Sequence, residues 1–320
     1  MNGPAVAAVR KAVRDFLAIV EPPQELCVAV SGGADSLALA EATAHVAHQD
    51  GHTVRALIVD HGLQADSAEV AENAAAATKT LGVDVAEILK AEVAGPGGPE
   101  AAARKARYLA LGGRPLVLLG HTRDDQAETV LLGLGRGSGP RSLAGMRAYD
   151  PPWGRPLLGI TRATTRLACA ELGVEPWEDP HNADPRFVRV RLRTEVLPLL
   201  EDVLAEGVGA ALARTAAQLR EDTEALDTLA AVLLTRAGGP EGLDVRVLEA
   251  EPAALRRRVL RRWLLDSGVR ELTDGHLRAV DDLVGRWRGQ GGVWLPGNLE
   301  ARRSHGRLSL VPPQPTTRGE

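Results

Sequence analysis

The sequence predicts an α/β protein with a Rossmann-like, doubly wound parallel sheet, followed by a helical connector and a small α+β domain. Over the first half of the chain, short apolar segments alternate with segments of helical periodicity, which is typical of a parallel sheet. A glycine turn at residues 31–36 joins the first predicted strand to a helix. The 320 residues are enough for two domains. We place the boundaries at 1–200, 201–237 and 238–320.

The elements follow from the spacing of the apolar residues. Residues 4–20 predict a helix that Pro22 and Pro23 end, and the first strand then runs to Val30. Further strands are predicted at 53–59, 83–89, 116–119 and 243–247, and further helices at 67–81, 100–111, 124–134, 161–172, 253–266 and 273–287. Residues 135–158 are rich in Gly, Pro and Arg and predict an irregular crossing.

Composition argues against a membrane protein and against a zinc or redox site built on cysteines. An apolar content of 44% and a charged content of 25% are typical of a globular protein, and no apolar run approaches the roughly 18 to 20 residues that span a bilayer. We therefore expect a cytoplasmic protein with no membrane partner. The two cysteines, Cys27 and Cys169, lack the spacing of a zinc or redox pair and are expected to be buried packing residues.

Charge is unevenly distributed along the chain. The formal net charge is −4, yet residues 230–320 hold 15 Arg and no Lys against 11 acidic residues, a net charge of +4. A second basic stretch places Arg186, Arg189, Arg191 and Arg193 within eight residues. Such a run is either a solvated face or a phosphate-binding patch, and the sequence leaves both interpretations open.

The glycine turn has the residues of an anion site. Gly32 and Gly33 let backbone N–H groups approach a ligand closely, and the start of the next helix favours negative charge. Asp35 has the wrong sign for phosphate unless a hard cation such as Mg²⁺ lies between them. The Walker lysine is missing, so this is a different phosphate loop. The predicted nucleotide ligands in the turn are Ser31, Gly32, Gly33, Ala34, Asp35 and Ser36, with Asp35 also the metal ligand.

A second informative stretch begins at the end of the 116–119 strand. His121 lies at that strand end, and Asp125 and Glu128 are three residues apart on the next helix and share a face. N-capping is expected to account for Asp124, but not for the other three together. Because ligands bind at the carboxyl ends of parallel strands, we expect Ser31, Asp60, His61 and His121 to converge on one crevice.

The turn resembles the signature loop of the N-type (PP-loop) ATP pyrophosphatases, which cleave ATP to AMP and pyrophosphate. From about residue 25 to about residue 200 the chain resembles the tRNA(Ile)-lysidine synthetase family. The motifs that carry this likeness are the turn itself, Asp60-His61-Gly62-Leu63, residues 100–108, residues 120–129, Arg136-Gly137-Ser138-Gly139 and residues 179–193. One departure is Val190, which follows Arg189 where the family commonly has Asn.

The resemblance implies that lysine is joined to C2 of the wobble cytidine of tRNA(Ile) with anticodon CAU, with ATP and Mg²⁺ as cofactors. On this hypothesis Asp125 and Glu128 bind L-lysine, Arg189 helps to bind substrate, and His61 and Arg104 contact the nucleotide. His121, Arg104 and Arg193 offset charge at the α-phosphate. Asp35, His121, Asp125 and Arg193 are thus the predicted catalytic residues. For Arg104 and Arg107, a solvated helix face remains an alternative.

Two other functions fit parts of the sequence. A PP-loop tRNA thiolase would activate a base in the same way but deliver sulfur, and such enzymes usually need cysteines near the site. A non-catalytic, nucleotide-regulated RNA-binding protein would use only the Arg-rich second half. A glutamine-dependent amidotransferase is not expected, since no glutaminase domain precedes the loop. The oligomeric state stays open, and a homodimer is one option.

Overall fold

A computed structural model of the chain describes residues 3–62, 66–93, 99–137, 139–239 and 242–312. The motif residues Leu63 and Ser138 lie outside that part of the chain. The chain divides into two compact units: Met1–Gly137 with Ser142–Ala216, and Ser138–Arg141 with Ala217–Glu320. The division between Ala216 and Ala217 falls inside the segment 201–237.

The helices and strands agree with the predicted positions to within a few residues over most of the chain. The helices are α1 (Pro4–Leu17), α2 (Ala34–Gln49), α3 (Ser67–Thr80), α4 (Pro99–Leu111), α5 (Arg123–Gly135), α6 (Pro140–Leu143), α7 (Arg162–Leu172), α8 (Val188–Arg191), α9 (Leu197–Leu204), α10 (Val208–Ala237), α11 (Val245–Glu249), α12 (Ala253–Asp266) and α13 (Asp274–Gly285). The strands are β1 (Glu25–Val30), β2 (Thr53–Asp60), β3 (Val85–Lys90), β4 (Val117–Leu118), β5 (Tyr149–Asp150), β6 (Trp153–Gly154), β7 (Gly238–Gly239), β8 (Gly242–Asp244), β9 (Val293–Leu295), β10 (Leu299–Ser304) and β11 (Arg307–Val311).

The first unit contains the predicted parallel sheet. Its strand order is β3-β2-β1-β4-β6-β5, and only the edge pair β5 and β6 is antiparallel among the described strands. In the centre, Val28 of β1 lies opposite Ala56 of β2 and Leu118 of β4. The predicted doubly wound α/β fold is therefore confirmed.

Side-chain alternation along β1 explains why both faces of this sheet are covered. Leu26, Val28 and Val30 point into a core formed with α1, α2 and α7. Cys27 points to the opposite face and packs in a second cluster that includes Leu111 of α4. A strand that is buried on both faces reads as a continuous apolar run, as this one does.

The predicted irregular crossing at 135–158 is wrong in part, because the two short strands β5 and β6 extend the sheet. Gly154 of β6 lies opposite Leu118, and a Cβ at Gly154 would lie 2.7 Å from Leu118 Cδ2 and 2.7 Å from Phe16 Cζ. A larger residue at this position would therefore have to displace the ends of the Leu118 and Phe16 side chains. Strands of two residues are too short to produce a sequence period.

The second unit contains the predicted small α+β domain together with the part of α10 that follows Ala216. Its sheet is antiparallel with strand order β7-β8-β11-β10-β9, and buried residues of α12 and α13, such as Leu260 and Leu283, belong to its core. The predicted strand at 243–247 is wrong beyond Asp244, because the Asp244 side chain accepts a hydrogen bond from Arg246 N and caps α11. Within the described part of the chain, no helix has the length and apolar character needed to cross a bilayer.

Candidate active site

A cavity of about 890 Å³ opens in the first unit at the carboxyl ends of β1 and β4. The predicted site residues that line it are Ser31, Gly33, Ala34, Asp35, Ser36, Arg104, His121, Asp125 and Arg193. Four others, Gly32, His61, Glu128 and Arg189, are not among its lining residues. The cavity also contains residues that the sequence analysis did not select, above all Arg162.

The glycine turn is held in shape by its own hydroxyl groups. Gly32 has φ +83°, a conformation that favours glycine, and Gly33 is the N-cap of α2. Ser36 Oγ donates to Gly33 O at 2.9 Å and accepts from Ser31 N at 3.1 Å. Trp177 N donates to Gly32 O at 3.0 Å and ties the turn to a later segment. The start of α2 therefore lies at the cavity in a fixed geometry.

Asp35 lies in the first turn of α2 and reaches the start of α7. Its Oδ1 accepts a hydrogen bond from Thr165 Oγ1, and its Oδ2 accepts one from Arg162 Nε at 3.4 Å. Burial raises the pKa of Asp35, against the lowering effect of Thr165 and Arg162. A Cβ at Gly120 would lie 3.1 Å from the Asp35 carbonyl group, so the end of β4 approaches the turn closely.

Helix α5 begins with a capping box that involves a predicted site residue. Thr122 N and Oγ1 donate to Asp125 Oδ2 at 2.8 and 2.9 Å, so Asp125 takes the capping role expected of Asp124. Asp124 instead accepts a bond from the backbone N–H of Arg162. Burial alone would raise the pKa of Asp125, but Arg162 and the Thr122 N–H hold it below its ordinary value.

Glu128, one turn further along α5, is fully buried behind the cavity wall. Its Oε1 accepts from Arg193 Nε at 2.8 Å, and Arg189 Nη1 lies 3.5 Å from its Oε2. Oε2 has no hydrogen-bond partner among the described residues. Arg193 lies in a π-helical turn, Leu192–Val196, a geometry that is frequent at functional sites. Glu128 therefore orients Arg193, which lines the cavity.

Arg162 is the central residue that the sequence analysis missed. Its guanidinium lies 3.4 Å from Asp35, 2.7 Å from Asp125 and 3.6 Å from Glu128. Arg162 is the first residue of α7, where the helix dipole disfavours a cation. That unfavourable position was the one signal in the sequence, and it indicates compensating acids without saying which.

The two predicted histidines are both uncharged near neutral pH. Burial lowers the pKa of His121 to about 4, and it also lowers the pKa of His61, with a further contribution from Arg107. Each has a buried Nδ1 without a hydrogen-bond partner in the described structure. His121 can therefore exchange a hydrogen bond or a proton with a ligand, but it brings no positive charge.

The basic face of α4 carries the arginines that sequence alone could not assign. Arg104 and Arg107 both line the cavity. Arg104 lies over the ring of Tyr108, 5.1 Å from the ring centroid, and donates to the Tyr108 hydroxyl at 3.2 Å. Burial lowers the pKa of Arg107. Both cations are thus placed to meet an anion in the cavity.

Neither cysteine belongs to the cavity wall. Cys27 is 3% exposed and Cys169 is 1% exposed. Burial raises the pKa of both thiols, that of Cys169 to about 11, so neither is a thiolate near neutral pH. Both cysteines are packing residues, as predicted.

The cavity fits one kind of metal site. The described residues contain no cluster of three or more His, Cys, Asp or Glu side chains that could enclose a metal ion. Mg²⁺ is usually held by one or two carboxylates together with substrate phosphates and water. Asp35, a carboxylate beside the phosphate loop, fits that role.

Comparison with known proteins shows which family the chain belongs to. Residues 6–200 match the PP-loop domain, and residues 243–309 match the TilS substrate binding domain. The tRNA(Ile)-lysidine synthase of Rhodococcus jostii (strain RHA1) is 58% identical over 316 residues, which are 96% of this chain and 96% of that protein. The chain belongs to the tRNA(Ile)-lysidine synthase family. The family resemblance predicted from the motifs is confirmed, and the PP-loop domain supports ATP binding.

Further members of the family are similar along nearly their whole length. The tRNA(Ile)-lysidine synthase of Nocardia farcinica (strain IFM 10152) is 58% identical over 313 residues, covering 94% of this chain and 97% of that one. Among solved structures, the U34-tRNA thiolase NcsA from Methanococcus maripaludis with its 4Fe-4S cluster has a TM-score of 0.57 and 18% identity. It covers 68% of this chain and 80% of that one, a likeness that concerns the fold alone.

Proposed function

We propose that this chain is a ligase that joins lysine to C2 of the wobble cytidine of tRNA(Ile) with anticodon CAU. ATP first adenylates the tRNA, and the products are lysidine, AMP and pyrophosphate. The modified tRNA then reads AUA and is charged with isoleucine. The observation that carries the proposal is that the phosphate loop faces acids and arginines across one cavity, in a chain of the lysidine synthase family.

The reaction needs two displacements. The C2 oxygen of cytidine is a poor leaving group, so it first attacks the α-phosphate of ATP, and pyrophosphate departs. The ε-amine of lysine then attacks C2, the C2–O bond breaks with AMP leaving, and the amine loses a proton. Because a lysine amine has a pKa of about 10.4, a group in the cavity must take a proton from it or hold it uncharged.

The phosphate loop holds the nucleotide. Residues 31–36 bind pyrophosphate through backbone N–H groups and the Ser31 hydroxyl, and the start of α2 favours the negative charge. Asp35 holds Mg²⁺, which supplies charge neutralisation for the phosphates when it is bound. Arg104 contacts the nucleotide from α4, and its place on the cavity wall supports this role. His61, which the family resemblance implies as a nucleotide contact, does not line the cavity.

The acidic face of α5 binds lysine. Asp125 lines the cavity, and its two oxygens already accept hydrogen bonds, Oδ2 from Thr122 and Oδ1 from Arg162 Nη2 at 2.7 Å. An amine of lysine that binds Asp125 therefore shares Oδ1 with Arg162. Glu128 acts from behind the wall by holding Arg193, which lines the cavity, and Arg189, which does not. Arg193 and Arg104 then offset charge at the α-phosphate. His121 takes part as a neutral imidazole.

The second unit contacts the tRNA. It matches the TilS substrate binding domain, and its Arg-rich composition suits a phosphate backbone. Removal of residues 240–320 is expected to weaken tRNA binding. A homodimer stays a prediction, and sedimentation of the full chain measures it.

The thiolase alternative is not favoured, since both cysteines are buried and protonated, and neither lines the cavity. The non-catalytic alternative gives no chemical role to the ion cluster that Arg162 forms with Asp35, Asp125 and Glu128. Pyrophosphate release that depends on tRNA separates an enzyme from such a binding protein.

The deciding experiment incubates the full chain with ATP, radiolabelled lysine and tRNA(Ile) of anticodon CAU, followed by nucleoside analysis. We expect labelled lysidine with this tRNA and little or none with a tRNA(Met) of the same anticodon. Label in neither tRNA, with ATP consumed normally, would contradict the proposed function.

A further inference from the structure

Arg162 links two parts of the cavity that the sequence motifs treat separately. One part is the phosphate loop with Asp35, and the other is the acidic face of α5 with Asp125 and Glu128. The guanidinium contacts all three carboxylates, through Nε, Nη2 and Nη1 respectively. A single cation of the chain itself therefore lies between the loop and the predicted lysine-binding acids.

The position of Arg162 is fixed at its backbone. Thr161 caps α7 by accepting from Thr164 N at 3.1 Å, and Arg162 N donates to Asp124 Oδ2 at 2.9 Å. The Arg162 side chain is 18% exposed, so it has little freedom to swing into solvent. The 2.7 Å bond from Arg162 to Asp125 is a charge-assisted hydrogen bond, a type roughly twice as strong as neutral ones, whereas the contact with Asp35 is longer, at 3.4 Å.

Asp35 is consequently occupied before any ligand arrives. Its Oδ1 is bound by Thr165 and its Oδ2 by Arg162. A free divalent cation would have to displace Arg162 to reach this one carboxylate, with little help from other protein ligands. A cation that arrives on a polyphosphate gains further contacts, because its phosphates bind the N–H groups of the loop.

We propose that Arg162 is a positioning residue that keeps Asp35 closed to free divalent metal, so that the metal enters the site together with the phosphates of the nucleotide. The proposal rests on the proposed metal role of Asp35.

The test measures Mn²⁺ binding to the full chain in the absence of nucleotide, by electron paramagnetic resonance of the free ion. We expect wild-type protein to bind Mn²⁺ weakly and Arg162→Gln to bind it at least tenfold more tightly. Asp35→Asn in the Arg162→Gln background should abolish that gain, which locates the ion at Asp35. A merely structural role for Arg162 would not produce tighter metal binding.

Arg166→Gln is the matched control. Arg166 lies one turn further along α7 and also lines the cavity, but its guanidinium pairs with the exposed Glu178 at 3.2 Å. This variant loses the same positive charge without opening Asp35. Its Mn²⁺ affinity should stay within twofold of wild type, and a tenfold gain in this control would reduce the effect to general electrostatics and overturn the proposal.

Pyrophosphate supplies a second readout. It should raise the Mn²⁺ affinity of wild type by a larger factor than that of Arg162→Gln, because only wild type must release Arg162. Equal Mn²⁺ affinity of wild type and a folded Arg162→Gln overturns the proposal. If Arg162→Gln does not fold, Arg162→Lys replaces it: one ammonium cannot reach all three carboxylates, and a folded Lys variant with no gain in affinity overturns the proposal equally.

The test is independent of the proposed activity. Mn²⁺ binding needs neither tRNA nor lysine, so a failure of wild-type protein to form lysidine would contradict the ligase function and leave the metal result standing. Conversely, an active wild type with unchanged Mn²⁺ affinity in Arg162→Gln would remove only the role given to Arg162.

Discussion

Two buried acids in this chain are surrounded by arginines, and their surroundings differ. In the second unit, Asp281 accepts from Arg256 Nε at 2.8 Å and from Arg257 Nε at 3.1 Å, and its side chain is 4% exposed. In the first unit, Glu128 is fully buried and accepts from Arg193, but its Oε2 has no hydrogen-bond partner in the described structure. Both Asp281 oxygens accept hydrogen bonds, whereas Glu128 Oε2 has only an ion-pair contact among the described residues, with Arg189 Nη1 at 3.5 Å.

We interpret the Asp281 cluster as structural and the Glu128 cluster as part of the proposed site. Buried polar groups are normally hydrogen-bonded, so an unsatisfied oxygen needs an explanation. Beside Asp281, the Arg256 guanidinium donates its further hydrogen bond to another group of the protein, the Glu251 carbonyl. Around Glu128 two arginines, Arg162 and Arg193, continue to a cavity wall. Burial of an acid among arginines is therefore not itself a sign of function; unused bonding capacity next to a cavity is.

The largest expected effect is that of Asp35→Ala on activity. Loss of the loop carboxylate should lower lysidine formation by about 1,000-fold, the scale seen when a preorganised electrostatic group is removed. Because burial raises the pKa of Asp35, its ionised form is costly in the fold, and the variant should melt no lower than wild type. Lysine incorporation and thermal melting measure the two effects, and activity within tenfold of wild type would remove Asp35 from the site.

Asp281→Ala should show the opposite combination. It leaves Arg256 and Arg257 without their buried partner, and breaking such a pair costs about 3 kcal/mol or more. The measurement is the denaturant-induced unfolding of the second unit, followed by fluorescence of the buried Trp263. Asp266→Ala, at an exposed pair with Arg262, is the control and should change stability by less than about 0.5 kcal/mol. Equal stability of the two variants would abolish the distinction drawn between the clusters.

The sequence predicted the sheet and the loop well, because both depend on local signals. Alternating segments specify the strands around Val28, and the glycine turn specifies where α2 begins. The ion cluster was only partly predictable. Asp35 and Arg162 are 127 residues apart, and no local pattern states which distant acid a lone arginine will meet.

Local competition explains two further differences. Thr122, two positions before Asp124, provides the N-cap of α5 and takes Asp125 into its capping box, so Asp124 is not the cap that the sequence analysis expected. Residues 245–249 have the β-branched character of a strand, but capping by Asp244 starts a helix there.

The pH dependence of stability tests a second buried group of the first unit that lacks a hydrogen-bond partner in the described structure, His121 Nδ1. Its pKa is about 4 in the folded chain and about 6.5 when unfolded. Between these values the unfolded state binds more protons, so stability falls as pH falls from about 6.5 to about 4. The full shift corresponds to about 3 kcal/mol, and partial exposure of the ring reduces this to about 2 kcal/mol.

His121→Asn should therefore lose about 2 kcal/mol less stability than wild type between pH 7 and pH 4. Other histidines with lowered pKa, such as His61, contribute equally to both proteins and cancel in the difference. Denaturant titrations of the two proteins across this range make the measurement. Parallel curves would mean that the imidazole is not desolvated at this site.

The smallest effect is expected from Cys27→Ser combined with Cys169→Ser. Both thiols are buried and protonated, so neither can act as a nucleophile, and lysidine formation should stay within about twofold of wild type. Cys169 Sγ donates to Ala34 O, next to Asp35, and a serine hydroxyl can donate in its place. The cost is in stability, about 1 kcal/mol for each hydroxyl buried in an apolar setting. A tenfold loss of turnover in a folded double variant would instead indicate sulfur chemistry. The buried thiols of the first unit would then be reactive groups and not packing groups.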